Sequence, residues 1–262
     1  RVVDRLFTGD IISKDSNAIF IVKGTVDFNK KNPVFMFDAD VADIQFGKLR
    51  IGSEDYTFSG KLNFNFQGSK IDDFLGTAEI KNGTLYKDSS KISFNSFILK
   101  SEIINGQKSL SVVSDEFDGN ITGQFNIDSL PGSITVFLNK YYPSYINEPR
   151  SKPINQNFKF DITTRNIDEY LKFLKLNIRG FDGSHFDGSI NLAQNQLELN
   201  ATVPYFSVNQ FMFNDAKLTG TGTREKLQLT GRAGNTKIND SISLRATDFT
   251  IESANDISKV KI

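Results

Sequence analysis

The chain has no cysteine, no tryptophan and a single histidine. Without cysteine there is neither a disulfide nor a thiolate metal site, and cytosol, periplasm and cell surface stay equally open as compartments. The one histidine, His185, lies between Ser184 and Phe186 beside a turn signal. That context reads as a surface-loop residue, outside any Ser-His-Asp, Cys-His or multi-histidine metal arrangement. An excess of one charge is also missing. The 31 basic and 31 acidic residues cancel, and no block of like charge stands out. The electrostatic footprint of a nucleic-acid or anionic-membrane binder is therefore absent, and nucleic acid is not an expected partner. No apolar run approaches the twenty or so residues of a membrane-crossing helix. The chain opens Arg1-Val2-Val3-Asp4 with no methionine or signal peptide, and is read as part of something longer.

What is present is alternation. Apolar and polar residues exchange at period two from end to end, the pattern of half-buried strands. Tyr56, Phe58, Leu62, Phe64 and Phe66 fall on one face, with Thr57, Ser59, Lys61, Asn63 and Asn65 on the other. The same texture runs through 117–127, 186–192, 197–203, 227–229 and 242–246. Asn82-Gly83, Asn105-Gly106, Asp182-Gly183 and Gly234-Asn235 supply the positive-φ residues of tight hairpins. Successive strands are thus expected to be antiparallel neighbours, since parallel sheets covered on both faces read as continuous apolar runs.

One segment reads as helix. Asn166 is placed as an N-cap, with Asp168 and Glu169 in the first turn and Tyr170, Leu171, Phe173 and Leu174 at helical spacing. Just before it, Pro131, Pro143, Pro149 and Pro153 cluster with Tyr141, Tyr142 and Tyr145. Residues 139–157 are accordingly read as a loop excursion between a first sheet portion, 1–138, and a second, 158–262, that includes the helix.

A weak repeat underlies the strands: an apolar residue, glycine two later, then apolar residues at further steps of two. It occurs at Phe58-x-Gly60, Phe74-x-Gly76, Phe117-x-Gly119 and Phe186-x-Gly188, and more loosely at Leu218-x-Gly220 and Leu229-x-Gly231. Glycine inside a strand marks a bend or a close approach. Repeated bends toward the apolar side would curl the sheet into a trough; the bland reading takes Asp118-Gly119 and Asp187-Gly188 as hairpin turns. One short helix is too little to cover the apolar side of a sheet of about sixteen strands. Either the sheet folds on itself as a sandwich or barrel, or it leaves a groove. In such a groove a sixteen-carbon acyl chain gains roughly 13 kcal/mol on leaving water, at about 0.8 kcal/mol per methylene.

The search for chemistry yields little. Asp115, Glu116 and Asp118 beside Gly119 lack the ligand spacing of a calcium loop. Asp38 with Asp40 and Asp72 with Asp73 are better explained as solvated strand edges or turns than as acid-base pairs. Gly220-Thr221-Gly222 lacks the third glycine and following helix of a dinucleotide site. No cofactor, metal or catalytic residue is expected.

The runs Leu197 to Phe206, Phe213 to Gly222 and Ile238 to Ser243, with Leu176 to Gly180 leading to Phe186 to Ile190, resemble the middle region of the large TamB proteins of Bacteroidetes-type bacteria, in the AsmA-like superfamily. The resemblance covers most of the chain as texture and short phrases rather than one invariant motif. It implies an elongated, curved, mainly antiparallel, taco-like all-β sheet with a hydrophobic concave groove and one short helix near 166–174. It further implies a protein anchored in the inner membrane, crossing the periplasm, and engaging an Omp85-type outer-membrane barrel through parts outside this segment. Such a protein conducts phospholipid acyl chains toward the outer membrane, is linked to outer-membrane protein assembly, and is not an enzyme. The groove face would then comprise Phe58, Leu62, Phe64, Phe117, Ile121, Phe125, Phe186, Ile190, Leu192, Leu197, Leu199, Ala201 and Val203. Alternation alone does not separate groove from ordinary core at these positions. An adhesin-like or surface β-sandwich binding module with a closed core is the principal rival. A carbohydrate-active enzyme and an outer-membrane barrel fit less well.

Overall fold

The structure, a computed structural model, describes residues 2–51, 55–149, 153, 155–239 and 241–262. The chain is all-β, as the alternation predicts: among the described residues, seventeen strands in antiparallel ladders form curved, open sheet, with two short α-helices. It divides into two compact units, Arg1–Ile103 with Leu110–Glu116, and Ile104–Ser109 with Phe117–Ile262. The proline- and tyrosine-rich stretch falls inside the second unit, and its residues 150–152 and 154 lie outside the described residues.

The first unit is a meander of β1 (Val2–Val3), β2 (Leu6–Asp15), β3 (Ala18–Asp27), β4 (Val34–Gln45), β5 (Tyr56–Gln67), β6 (Leu75–Lys87) and β7 (Ser90–Ile104), each paired with its sequence neighbour. Residues directly opposite one another share a face, so the registers define rows that cross the sheet. One row reads Phe7, Val26, Phe35, Phe66, Gly76, Ser101; the next reads Gly9, Gly24, Phe37, Phe64, Ala78, Leu99; the third reads Ile11, Val22, Ala39, Leu62, Ile80, Phe97. The rows between them carry Lys23, Asp38, Asn63 and Glu79, so the two faces differ sharply in polarity.

Two bulges preserve that division. Val41 pairs with Gly60 but Ile44 pairs with Phe58, so β4 holds one residue more than β5 over this stretch. The apolar face consequently switches from Phe35, Phe37, Ala39 and Val41 to Ile44 and Phe46 without leaving the core. A second bulge, in β6, lies between Ile80 and Leu85, where Asn82 takes φ 50°. Asn82-Gly83 is thus not the hairpin turn expected, but an irregularity inside a strand. Around the bulges, Ala39, Val41 and Phe58 form a buried cluster with Val22, Leu62, Ile80 and Phe94 packed against it.

After β8 (Gln107–Ser114), which contributes residues to both units, the second unit runs through β9 (Phe117–Gln124), α1 (Leu130–Asn139), β10 (Asn157–Thr164), α2 (Asp168–Phe173) and β11 (Ile178–Gly180). It continues with β12 (His185–Asn191), β13 (Gln196–Val208), β14 (Phe211–Gly222), β15 (Leu227–Lys237), β16 (Ser243–Ala254) and β17 (Ile257–Lys261). The order is not purely sequential, because β10 pairs with both β9 and β12 while β11 pairs with β13. Asp118-Gly119 and Asp187-Gly188 lie within β9 and β12, which removes the hairpin-turn reading of the glycine repeat. Gly234-Asn235 is likewise inside β15. Two-residue turns open instead on aspartate or asparagine without a glycine requirement: Asp88, Asn209 and Asn255 open such turns at φ 53°, 54° and 49°, and Asn105 with Gly106 forms one as expected.

Helix α2 sits where predicted, with a different cap. Its N-terminal residue outside the helix is Ile167, not Asn166, and no local side chain caps it. The Asp182 carboxylate, from the turn before β12, accepts the Ile167 and Asp168 amides at 2.7 and 3.2 Å. Lys172, 2.7 Å away, holds the Asp168 carboxyl below its ordinary range, and the Gly180 amide donates to the same carboxylate at 2.9 Å, tying α2 to β11. Helix α1 is a second helix beyond the one predicted, in residues assigned to the first sheet portion; Pro131 occupies its first turn, where its missing amide hydrogen costs nothing.

Gly76 faces Phe66 across the β5–β6 ladder at φ 134°, and a Cβ there would collide with the Asn65 carbonyl oxygen. Gly76→Val should lower the unfolding free energy by about 2 to 4 kcal/mol, from overpacking plus backbone strain. The check is a reduced urea midpoint at unchanged m-value.

Candidate functional site

The apolar face of the first unit is paved with phenylalanine. Phe35 stacks on Phe66 at 4.9 Å, Phe37 lies over Phe64 at 4.8 Å, Phe64 meets Phe66 edge-on at 6.1 Å, and Phe66 meets Phe74 at 5.1 Å. The registers explain why so many rings fit. Phe66 stands opposite Gly76, Phe64 opposite Ala78, and Phe37 opposite Gly24, so each ring can lie over a partner strand that projects almost nothing. Most of these rings are only half-buried. Phe35, Phe64, Phe66, Phe74, Ala78 and Leu99 line a depression of about 390 Å³ whose rim is the 68–71 turn. Among the described residues of this unit, no α-helix is available to lie over the face.

The residues proposed for the groove divide between open and closed surroundings. Phe64 lines the depression. Phe58 is buried with Ala39 and Val41, and Leu62 packs on that cluster, so these two belong to core. In the second unit Ile121 shares a row with Phe160, Gly188, Leu199, Gly220 and Leu229. Phe186 and Ala201 share the next row with Ile162, and Phe117, at the end of β9, pairs with Thr164. Phe125 meets the Phe158 ring edge-on at 6.1 Å, with the Lys108 ammonium 5.6 Å above it. Ile190, Ala201 and Val203 are buried.

Leu192 and Leu197 require a correction. Neither faces an open groove: both pack against the cluster that Phe137 and Tyr141, brought in by α1, form with Leu227. Phe137 and Tyr141 are each 1% exposed. The Phe137 ring fills the space over Gly222, where a Cβ would collide with it. The Tyr141 hydroxyl donates to the Thr223 carbonyl, and Tyr142 donates to the Ser253 hydroxyl at 2.6 Å. Ser144 donates from its amide and its hydroxyl to the two Asp256 oxygens at 3.0 and 2.9 Å. Of the tyrosines assigned to a loop excursion, Tyr141 and Tyr142 are thus fastened to the sheet, whereas Tyr145 is exposed. Burial pushes the Tyr141 phenol up to about 12.

Most of the remaining polar candidates are committed to local partners; Glu116 is buried, with its Oε2 lacking a hydrogen-bond partner among the described residues. His185 opens β12 rather than a loop, with Nε2 3.2 Å from Asp161 Oδ2. Asp118 takes both Arg165 nitrogens at 2.7 and 2.9 Å, and Asp115 accepts the Asn95 amide at 3.2 Å. Asp38 accepts from Asn63 at 2.7 Å, Asp40 lies 3.7 Å from Lys61, and Asp73 accepts from Ser69 at 3.2 Å. Among the described residues, no three acidic, histidine or cysteine side chains converge on a metal position. No described helix is long and apolar enough to cross a membrane. The glycine pair of Gly220-Thr221-Gly222 lies inside β14, beneath Leu229 and Phe137.

Several floor residues had the right signal without being singled out. Phe35 and Phe37 alternate with Met36 and Asp38 like any half-buried strand, and Phe74 begins one of the glycine repeats. Phe137 had no such signal, because its segment reads as strand and loop. No family model, no curated protein and no solved structure matches this chain.

The raised Tyr141 pKa carries a stability consequence. The folded state prefers the neutral phenol, so its contribution is complete below the unfolded value of about 10 and is lost as pH rises through about 12. In an alkaline titration followed by tyrosinate absorbance, one late component should appear. Tyr141→Phe should remove it and flatten the loss of stability over the same window.

Proposed function

We propose that this chain is a stretch of a TamB/AsmA-like bridge that binds and conducts phospholipid acyl chains along an apolar β-face through the periplasm. In this reading the full-length protein is anchored in the inner membrane, and other parts of it engage an Omp85-type outer-membrane barrel. The segment has no catalytic role. The observation that carries the proposal is the phenylalanine floor of the first unit with its depression of about 390 Å³, at the lower end of the roughly 300–1,000 Å³ of small-molecule sites. Its open lining is hydrocarbon, apart from the polar 68–71 rim. A hydrocarbon lining from Phe35 to Leu99 lets a chain shift position without breaking hydrogen bonds, as conduction requires.

A closed-core binding module is the second reading, and the docking of α1 on the apolar face of the second unit favours it. The two readings separate in native mass spectrometry with lipid extraction of the chain purified from a bacterial envelope without detergent. The conducting reading expects bound phospholipid, reduced to below about a tenth in Phe64→Glu and Phe66→Glu, since a carboxylate at either position opposes acyl burial. The strand signal in circular dichroism should persist in both variants. A lipid-free wild-type chain would sink the conducting reading.

A further inference from the structure

Helix α1 occupies, in the second unit, the same kind of surface on which the proposed function places acyl chains. The row Gly123, Phe158, Ile190, Leu197, Gly222, Leu227 crosses six strands of one apolar face, and Phe137 of α1 rests on its Gly222 position. The neighbouring row, with Ile121, Leu199 and Leu229, carries the same texture.

The sequence of α1 is a poor helix in its own right. After Leu130-Pro131-Gly132 come Ser133, Ile134, Thr135, Val136 and Phe137, a glycine and a β-branched run that disfavour helix. Ser129 makes no side-chain cap, the first turn has no acid and the last turn no base. At ten residues it is also shorter than an isolated helix needs to persist in water. Its helical form therefore rests on docking, through Phe137, Tyr141 and the polar contacts of Tyr142 and Ser144 with Ser253 and Asp256. Conflict between local propensity and observed structure marks an element whose state is conditional. Among the described residues, nothing covers its outer side at Ile134, which is 53% exposed, and Tyr145 in the turn that follows is 78% exposed.

We infer that α1 with its Tyr141–Tyr145 tail is a displaceable plug, which competes with acyl chains for the Leu197–Gly222–Leu227 surface and closes it when no lipid is present. The inference rests on the conducting reading and adds a closed resting state to it.

The test is photocrosslinking of the full chain with vesicles of phosphatidylglycerol and phosphatidylethanolamine bearing a photoreactive acyl chain, with labelled peptides mapped by mass spectrometry. In the wild type, labelling should concentrate on residues 62–66 of the first unit and be weak on 196–203 and 227–231. Phe137→Ser, and separately Tyr142→Phe with Asp256→Asn, should raise labelling of the second-unit peptides by about tenfold, corresponding to about 1.4 kcal/mol of lost plug affinity. The first-unit signal should not change. Equal labelling of both units in the wild type would overturn the plug, as would no rise in variants that keep their strand signal. Unfolding of the second unit in both variants would also overturn it, by making α1 obligatory core. Absence of labelling at 62–66 in every chain would instead remove the conducting reading, and the plug with it.

Discussion

Three of the large rings on the first unit's apolar face, Phe37, Phe64 and Phe66, depend on the small residues that stand opposite them. Each stands between a phenylalanine on one neighbouring strand and a glycine or alanine on the other, so the rings pair across β4 and β5 while the small residue leaves room on the other side. The pairs Phe66–Gly76 and Phe64–Ala78 on the β5–β6 ladder and Phe37–Gly24 on the β3–β4 ladder flank the Phe–Phe pairs of β4 and β5. The small partners also permit the close strand packing that lets the rings contact each other at 4.8 to 6.1 Å. The floor is thus a property of register. A slip of one residue would exchange it for the face that carries Lys23, Asp38, Asn63 and Glu79.

The two units use the same rows to different ends. In the first, the rings supply much of their own neighbourhood and remain half-buried. In the second, Gly188 and Gly220 lie beneath their own cross-strand partners Phe160, Leu199 and Leu229, but the room over Gly222 is filled from outside the sheet, by Phe137 of α1. One sequence habit, apolar-x-glycine, therefore yields a bare floor in one place and a socket in another. What differs is whether a nearby segment carries a side chain able to enter the gap.

This explains how far the chain could be read without coordinates. Strand identity, antiparallel pairing and the polarity of each face follow from period two, which acts locally and strongly in stretches such as Tyr56 to Phe66. The bulges in β4 and β6 were hidden because an extra residue changes the phase of alternation by one, and Asn82-Gly83 looks the same in a bulge as in a turn. Helix α1 was hidden for a deeper reason. Its residues prefer another conformation, and only contacts with Leu197 and Leu227, about sixty to ninety residues later in the chain, reverse that preference. The groove positions were legible as a face, but Leu192 and Leu197 could not be told from open lining while the cover itself was unrecognised.

The strictly sequential ladder order of β1 to β7 bears on how this unit is made. Each strand finds its partner immediately before or after it in the chain, so its pairing contacts close short loops. Such a topology lowers contact order and allows structure to spread from any formed hairpin to the next, as in repeat arrays whose stability is a sum of nearest-neighbour terms. The second unit lacks that simplicity, since β10 must join both β9 and β12 across the long α1 connection. During synthesis the first unit can zip up as it emerges, while the strands around α1 must wait for distant partners. The slow step of folding then falls in the unit whose apolar surface is sealed last.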